Sequence, residues 1–367
     1  MRILLIGEYS NVHWTLSEGL RKLGHDVDVL SNGDFWKDYQ RNIDLKRTSY
    51  STWGGLTYAL RLLRILPRLK GYDIVQLINP MFLELKASYN HYVYKFLRHH
   101  NGKIVLGAFG MDYYWVKTCI EEMPLRYSDF NIGNQLRTNV EAIAERNDWL
   151  GTAKGKLNRF IAEDADGIVA GLYEYWVCYH PKFPAKTTFI PYPIKPQLHT
   201  PQTGIQEEHV PIRLFIGINR SRSQYKGTDI MLDAAKQVCD KYPQLITLNV
   251  AENVPYEQYT EMMNNSDVIL DQLYSYTPSM NPLQAMSKGI VCVGGGEPEN
   301  YEIIQEEELR PILNVEPNFQ SVYDTLENLA FHPEILPELK RQSIQYIQKH
   351  HDYIKVAKQY LSFYERL

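Results

Sequence analysis

Between Leu214 and Ala235 the chain reads LFIGINRSRSQYKGTDIMLDAA, a strand, a basic loop and a helix in immediate succession. Leu214, Phe215 and Ile216 form the short apolar run of a strand buried on both faces, and Gly217 opens the loop. From Thr228 onward Ile230, Met231, Ala234, Ala235 and Val238 recur at helical spacing. Between strand and helix lie Arg220, Arg222 and Lys226, with no acid until Asp229. Cations at the carboxyl end of a strand, beside the free amides of a helix start, suit a pyrophosphate. Three solvated cations in a plain loop would look the same, and a short motif does not decide between the two.

The downstream segment adds a second unit of the same kind. Asn265 to Glu299, NSDVILDQLYSYTPSMNPLQAMSKGIVCVGGGEPE, predicts a strand at Val268 to Asp271, a loop, a helix from about Asn281, a strand at Ile290 to Val293 and a glycine run. Asn281 is the expected N-cap and Pro282 suits the first helical position. A basic loop ending in Lys226-Gly227, a Ser266-Asp267-Val268 strand, then LQAMSKG and a glycine-rich turn together resemble the C-terminal domain of the family 4 glycosyltransferases of GT-B fold. The resemblance covers most of the chain in outline and is most specific between Leu214 and Glu299.

What it implies is an α/β protein with two Rossmann-like domains and a C-terminal helix crossing back to the N-domain. The expected boundaries are 1–195 for an acceptor-side domain, 196–211 for a linker, 212–345 for a nucleotide-sugar-binding domain and 346–367 for the returning helix. The implied reaction moves a hexose, with retention at the anomeric carbon, from a UDP- or GDP-sugar to a glycan or lipid-linked acceptor, as in polysaccharide biosynthesis. The family needs no metal or other cofactor for this.

Length and composition fit two domains. A chain of 367 residues with an apolar fraction of 44% can bury two sizeable cores. A net charge of −4 argues against bulk nucleic-acid binding, so no nucleic-acid partner is expected. Cys119, Cys178, Cys239 and Cys292 are far apart and read as free thiols of a reducing compartment, neither zinc ligands nor a disulfide framework. The opening MRILLIGEYSN reads as a first strand, too short an apolar run for a signal peptide, and no run reaches the roughly 20 apolar residues of a membrane span. The expected location is cytoplasmic, with peripheral attachment to the inner face of a membrane.

In the first half, Ile3 to Ile6, the helix from Val12 to Leu23 and the strand Val27 to Leu30 make a β-α-β unit and hence a parallel sheet. Its first turn, IGEYSNVHW, lacks G-x-G-x-x-G, which lowers the case for a dinucleotide dehydrogenase. The resemblance makes Gly7, Glu8 and Tyr9 candidates near donor or acceptor; Glu8 could equally accept from the amides of the next helix. Lys46 to Tyr72 carries six basic residues and no acid. Within it Arg61, Arg64 and Arg68 stripe a helix whose remaining face is apolar, either a membrane-binding surface over residues 56–70 or an ordinary helix with a solvated stripe. Further strands are expected at Tyr72 to Asn79, Lys103 to Leu106 and Asp166 to Ala170. After the second of these, GAFGMDYYW sits where an open sheet holds ligands. Gly110, Asp112 and Tyr113 are therefore acceptor candidates, Asp112 being equally suited to cap the next helix. Residues 115 to 160 carry no readable chemistry.

By resemblance, Arg222 and Lys226 stabilise the leaving diphosphate, Arg220 is the alternative to Arg222, and amides near Met280 to Leu283 add dipole. With Arg222 and Lys226, Asp112 on the acceptor side is a candidate catalytic residue. Donor contacts are implied for Gly7, Glu252, Val254, Tyr276, Asn281, Leu283 and Gln284. No D-x-D triplet is present and no metal ligand is expected. The family usually carries two glutamates eight positions apart, and the matching positions here are Tyr276 and Gln284. That departure keeps two other classes open, a catalytically silent binding subunit and a nucleotide-sugar epimerase of similar fold.

Overall fold

The computed structural model describes residues 1–196 and 211–367; apart from its two end positions the expected linker lies outside the described residues. The chain divides into two compact units, one of residues 1–122, 144–193 and 353–367, the other of residues 123–143 and 194–352.

The first unit is built on seven parallel strands: β1 (Arg2–Ile6), β2 (Asp26–Ser31), β3 (Ile43–Asp44), β4 (Ile74–Leu77), β5 (Lys103–Ala108), and, beyond a two-stranded hairpin of β6 (Asn131–Ile132) and β7 (Gln135–Leu136) that belongs to the second unit, β8 (Gly167–Ala170) and β9 (Thr187–Phe189). Their order is β3-β2-β1-β4-β5-β8-β9. Leu4, Leu5, Val75, Val105 and Leu106 are all fully buried, which is why these strands read as unbroken apolar runs. The order reverses between β1 and β4, and this is where a doubly wound sheet opens a crevice at its carboxyl edge.

The single C-terminal helix expected over 346–367 is in fact broken. A helix at Leu336–Tyr346 passes into a wide π turn at Ile347–His351, Asp352 is extended, and a new helix runs Tyr353–Tyr364. Only the last piece belongs to the first unit, where it packs on the helix Val12–Lys22. Gly19 permits the approach: a Cβ there would lie 2.4 Å from the Tyr353 carbonyl oxygen. Tyr364 donates its hydroxyl to Gln76 Oε1 on β4 at 2.7 Å.

The second unit has five parallel strands, β10 (Ile212–Ile218), β11 (Ile246–Glu252), β12 (Val268–Leu270), β13 (Val291–Gly294) and β14 (Leu313–Asn314), in the order β11-β10-β12-β13-β14. Leu214, Phe215 and Ile216 are fully buried between β11 and β12, and the helix Thr228–Lys241 buries Met231, Ala234, Ala235 and Val238 of the positions its periodicity marked, Ile230 being only half-buried. Here the order reverses between β10 and β12. The ligand crevice of such a sheet therefore lies at the loops that follow Ile218 and Leu270.

Candidate functional site

The loop after β10 is short and tightly held. Arg220–Arg222 form a 3-10 turn and Ser223–Lys226 one turn of α-helix, and Gly227 then adopts a left-handed conformation (φ 73°) that starts the long helix at Thr228. Glycine is required: a Cβ at 227 would come within 3.0 Å of Leu273 and Tyr274. The loop after β12 is tied to it, since the Leu273 amide donates to the Lys226 carbonyl at 2.9 Å. The two loops that flank the reversal are thus joined main chain to main chain.

Lys226 and Asp271 form its charged centre. Desolvation pushes the Asp271 carboxyl up to about 6, against the pull of the Lys226 ammonium. Arg222 lies over the ring of Tyr225 at 5.4 Å and is exposed. Arg220 points elsewhere: its guanidinium makes a fork-to-fork pair with Glu252, Nη2 to Oε2 at 3.1 Å with Nε on Oε1. The alternative phosphate contact and one of the implied donor contacts are therefore joined to each other. Val254 is half-buried in the turn that follows β11.

The helix after the β12 loop runs Met280–Met286 with Ser279, whose side chain makes no capping bond, at the N-cap position, so Asn281 is not its N-cap; Asn281 instead donates its side-chain amide to the Tyr259 hydroxyl at 2.9 Å. Its start lies upstream of the expected one because Ser279 is already extended and can begin the helix two residues earlier. Leu283 is fully buried, and its amide is used within the helix by the Ser279 carbonyl. The Gln284 side chain is half-buried and makes no hydrogen bond among the described residues.

Tyr276, which the sequence resemblance sets at the position of a family 4 glutamate, is buried, and its hydroxyl accepts the main-chain N–H of Arg126 at 2.6 Å. Burial pushes its phenol up to about 12. Arg126 in turn reaches the glycine turn after β13, with Nη2 on Glu297 at 2.7 Å and Nη1 on Glu299 at 2.6 Å, while the Tyr127 hydroxyl also donates to Glu297. These contacts come from residues 123–143, a stretch in which the sequence reading found no chemistry. Its visible signal was the NIGNQ turn, which folds as the β6–β7 hairpin.

In the first unit the candidates gather at the carboxyl edge of the sheet. Gly7 has φ 86° and a Cβ there would lie 2.2 Å from Ile78 Cγ2 on the neighbouring segment; Gly110 lies against the ring of Tyr9. Glu8 accepts from the amides of His13 and Trp14 at 3.1 and 2.8 Å, the capping job foreseen as its alternative, and burial pushes its carboxyl up to about 8 in spite of those bonds. Asp112 is also a cap. One oxygen accepts from the Trp115 amide at 2.9 Å, the other from the Tyr179 hydroxyl at 2.6 Å, and burial raises the carboxyl to about 6.

The helix Thr52–Ile65 buries only Gly54, Tyr58 and Leu62. Its open face carries Trp53, Leu56, Leu60 and Leu63, exposed by 77%, 51%, 47% and 61%. The basic stripe beside it is weaker than the sequence suggests, because Asp44 lies 3.7 Å from Arg61 and Asp38 lies 3.1 Å from Lys46; Arg64 and Arg68 have no acidic partner among the described residues. No helix among the described residues is long and apolar enough to cross a membrane.

The sequence matches no family model and no curated protein. Solved structures do match over the whole chain. Sucrose-phosphate synthase from Thermosynechococcus elongatus superposes with a TM-score of 0.62 at 11% identity over 100% of this chain and 99% of its own. WaaG, a glycosyltransferase involved in lipopolysaccharide biosynthesis, gives 0.60 at 13% identity over 98% of each. UDP-GlcNAc 2-epimerase from Neisseria meningitidis, solved with UDP-GlcNAc bound, gives 0.55 at 13% identity over 100% of each. At this identity the likeness establishes the fold: two Rossmann-like units of GT-B type.

Proposed function

We propose that this protein is a glycosyltransferase that takes a sugar from a UDP- or GDP-sugar and passes it, with retention and without a metal ion, to a glycan or lipid-linked acceptor. The observation that carries the reading is the junction of the two loops at the reversal of the second sheet, where Lys226 and Arg222 stand at the crevice a doubly wound sheet offers to a phosphate. As the glycosidic bond breaks, negative charge grows on the departing diphosphate, and fixed cations lower that barrier more than they favour the bound donor. Gln284 contacts the ribose through its unengaged side chain. Asp112 acts on the acceptor side by holding the Tyr113–Glu121 helix start in place, both its oxygens being engaged.

An epimerase shares this fold but needs no second substrate. What favours transfer is the helix Thr52–Ile65, whose open apolar face beside Arg64 and Arg68 suits attachment to an anionic lipid surface at the cytoplasmic side, where a lipid-linked acceptor resides. The test is calorimetry with UDP and GDP. One of them binds, and Lys226→Ala weakens it by about 1.5 to 3 kcal/mol, the range for a hydrogen bond to a charged group. Unchanged affinity in the variant removes Lys226 from the site. Turnover of donor in the presence of EDTA, and only when acceptor is added, separates the transferase from both the epimerase and the silent binding subunit.

A further inference from the structure

Residues 123–143 pack at the carboxyl edge of the second sheet, and one of their side chains has a use that neither the hairpin nor the core explains. Arg137 is 8% exposed. Its Nη2 donates to the Gln224 carbonyl at 2.6 Å and its Nη1 to the Tyr225 carbonyl at 2.9 Å, while the guanidinium lies 3.4 Å from the centroid of the Tyr274 ring. The same Nη1 reaches the carbonyls of Ser128 and Asp129, both at 3.2 Å, on its own segment. A buried cation thus bridges the hairpin to the basic loop.

The two carbonyls it takes from the loop are significant. Ser223–Lys226 is a single helical turn, and its last carbonyls have no helical partner of their own. A cation there satisfies them and suits the negative end of the turn. The next residue is Lys226, whose own carbonyl is held by Leu273. Both sides of the Lys226 main chain are therefore clamped, one by Arg137 and one by the loop after β12.

We infer that Arg137 is the positioning residue of the diphosphate site, fixing the Ser223–Lys226 turn so that Lys226 meets the phosphates of a nucleoside diphosphate without touching the ligand itself. This rests on the nucleotide-sugar reading above. Lysine cannot replace it, since a single ammonium has neither the rigid fork nor the planar face for the ring. Because the clamp acts on the phosphate loop and on nothing that would meet a base, its loss weakens the phosphate part of binding alone.

The experiment measures affinities for uridine and UDP, and for guanosine and GDP, with the full chain and with Arg137→Lys and Arg137→Ala. The expected result is a loss of tenfold or more for the diphosphate with the nucleoside unchanged, and recovery of the Arg137→Ala variant on addition of millimolar guanidinium. If Arg137→Ala does not fold, Arg137→Lys alone carries the comparison. Equal losses for nucleoside and diphosphate mean a general structural role and overturn the inference, as do unchanged affinities in both variants. Failure of the unaltered chain to bind either nucleotide overturns the nucleotide reading itself, and that arm is read before any variant.

Discussion

The phenol oxygen of Tyr276 accepts the main-chain amide hydrogen of Arg126 at 2.6 Å, and the guanidinium of the same arginine lies 4.9 Å from the centroid of that tyrosine's ring. Tyr276→Phe keeps the ring, its contact with Tyr127 and the cation above it, and removes the hydroxyl that accepts the Arg126 amide. A donor left unpaired in a buried place costs about 1 to 3 kcal/mol. Urea denaturation of the variant shows a loss in that range; no change in midpoint would mean that water replaces the phenol.

Asp267 joins the starts of β10 and β12 to the helix Leu336–Tyr346, with Arg213 Nε at 3.0 Å and Lys340 Nζ at 2.6 Å. Burial pushes its carboxyl up, but the hydrogen bonds from Arg213 and Lys340 outweigh burial and hold it at about 2. A depressed carboxylate stabilises the fold above its unfolded pKa, near 3.8, and that contribution disappears as the pH falls through the folded value. The shift corresponds to roughly 2 kcal/mol at pH 7, with about half of it gone at pH 3. The stability gap between the natural chain and Asp267→Asn, followed by denaturation from pH 7 to pH 3, should narrow accordingly. A gap that stays constant would show that the ion pairs contribute nothing.

Gln284 is the position at which the sequence resemblance leads one to expect a glutamate. Its carbonyl can accept from one ribose hydroxyl, but without charge, and neutral hydrogen bonds contribute about 0.5 to 1.5 kcal/mol against 1.5 to 3 for charged ones. Gln284→Ala therefore weakens nucleotide binding several-fold, and Gln284→Glu leaves it intact or tightens it. If titration finds both variants equal to the natural chain, Gln284 lies outside the site.

On the helix Thr52–Ile65 and the 3-10 turn Leu66–Arg68 that follows it, where the sequence led one to expect one continuous striped helix, the cations that matter are those no carboxylate holds. Each cation near an anionic membrane contributes about 1 kcal/mol, so Arg64→Gln with Arg68→Gln should lower partitioning onto phosphatidylserine vesicles by about thirtyfold at low salt. Adding Arg61→Gln should change it less, because Asp44 already faces Arg61. Trp53→Ser with Leu63→Ser should reduce binding at any salt. Sedimentation unaltered by all of these would leave the stripe a solvated face.

Much of the fold could be read because its strands are buried on both faces. Unbroken runs such as Leu214 to Ile216, followed by a helix with clear periodicity, permit few arrangements other than a parallel sheet with crossovers. β3 and β14, each of two residues, lie at sheet edges and leave too short a pattern to find. The site was less legible. Spacing located the basic loop, but the partner of Arg220 is a strand away at Glu252, and the aspartate that weakens Arg61 precedes the basic stretch. Arg126 and Arg137 were hidden for the same reason. Their roles depend on partners 171 and 87 positions distant, Glu297 and Gln224, and no local pattern records a contact of that range.

Gln76 and Tyr364 are 288 positions apart. A ribosome adding roughly 5 to 20 residues each second needs about 15 to 60 s to travel that distance. From the moment β9 ends at Phe189 every strand of the first sheet has been made, yet until the interval closes the nascent first unit has no Tyr353–Tyr364 helix to lay against Gly19. Synthesis finishes the second unit before it supplies the last element of the first, so the half that begins the chain is the last to close.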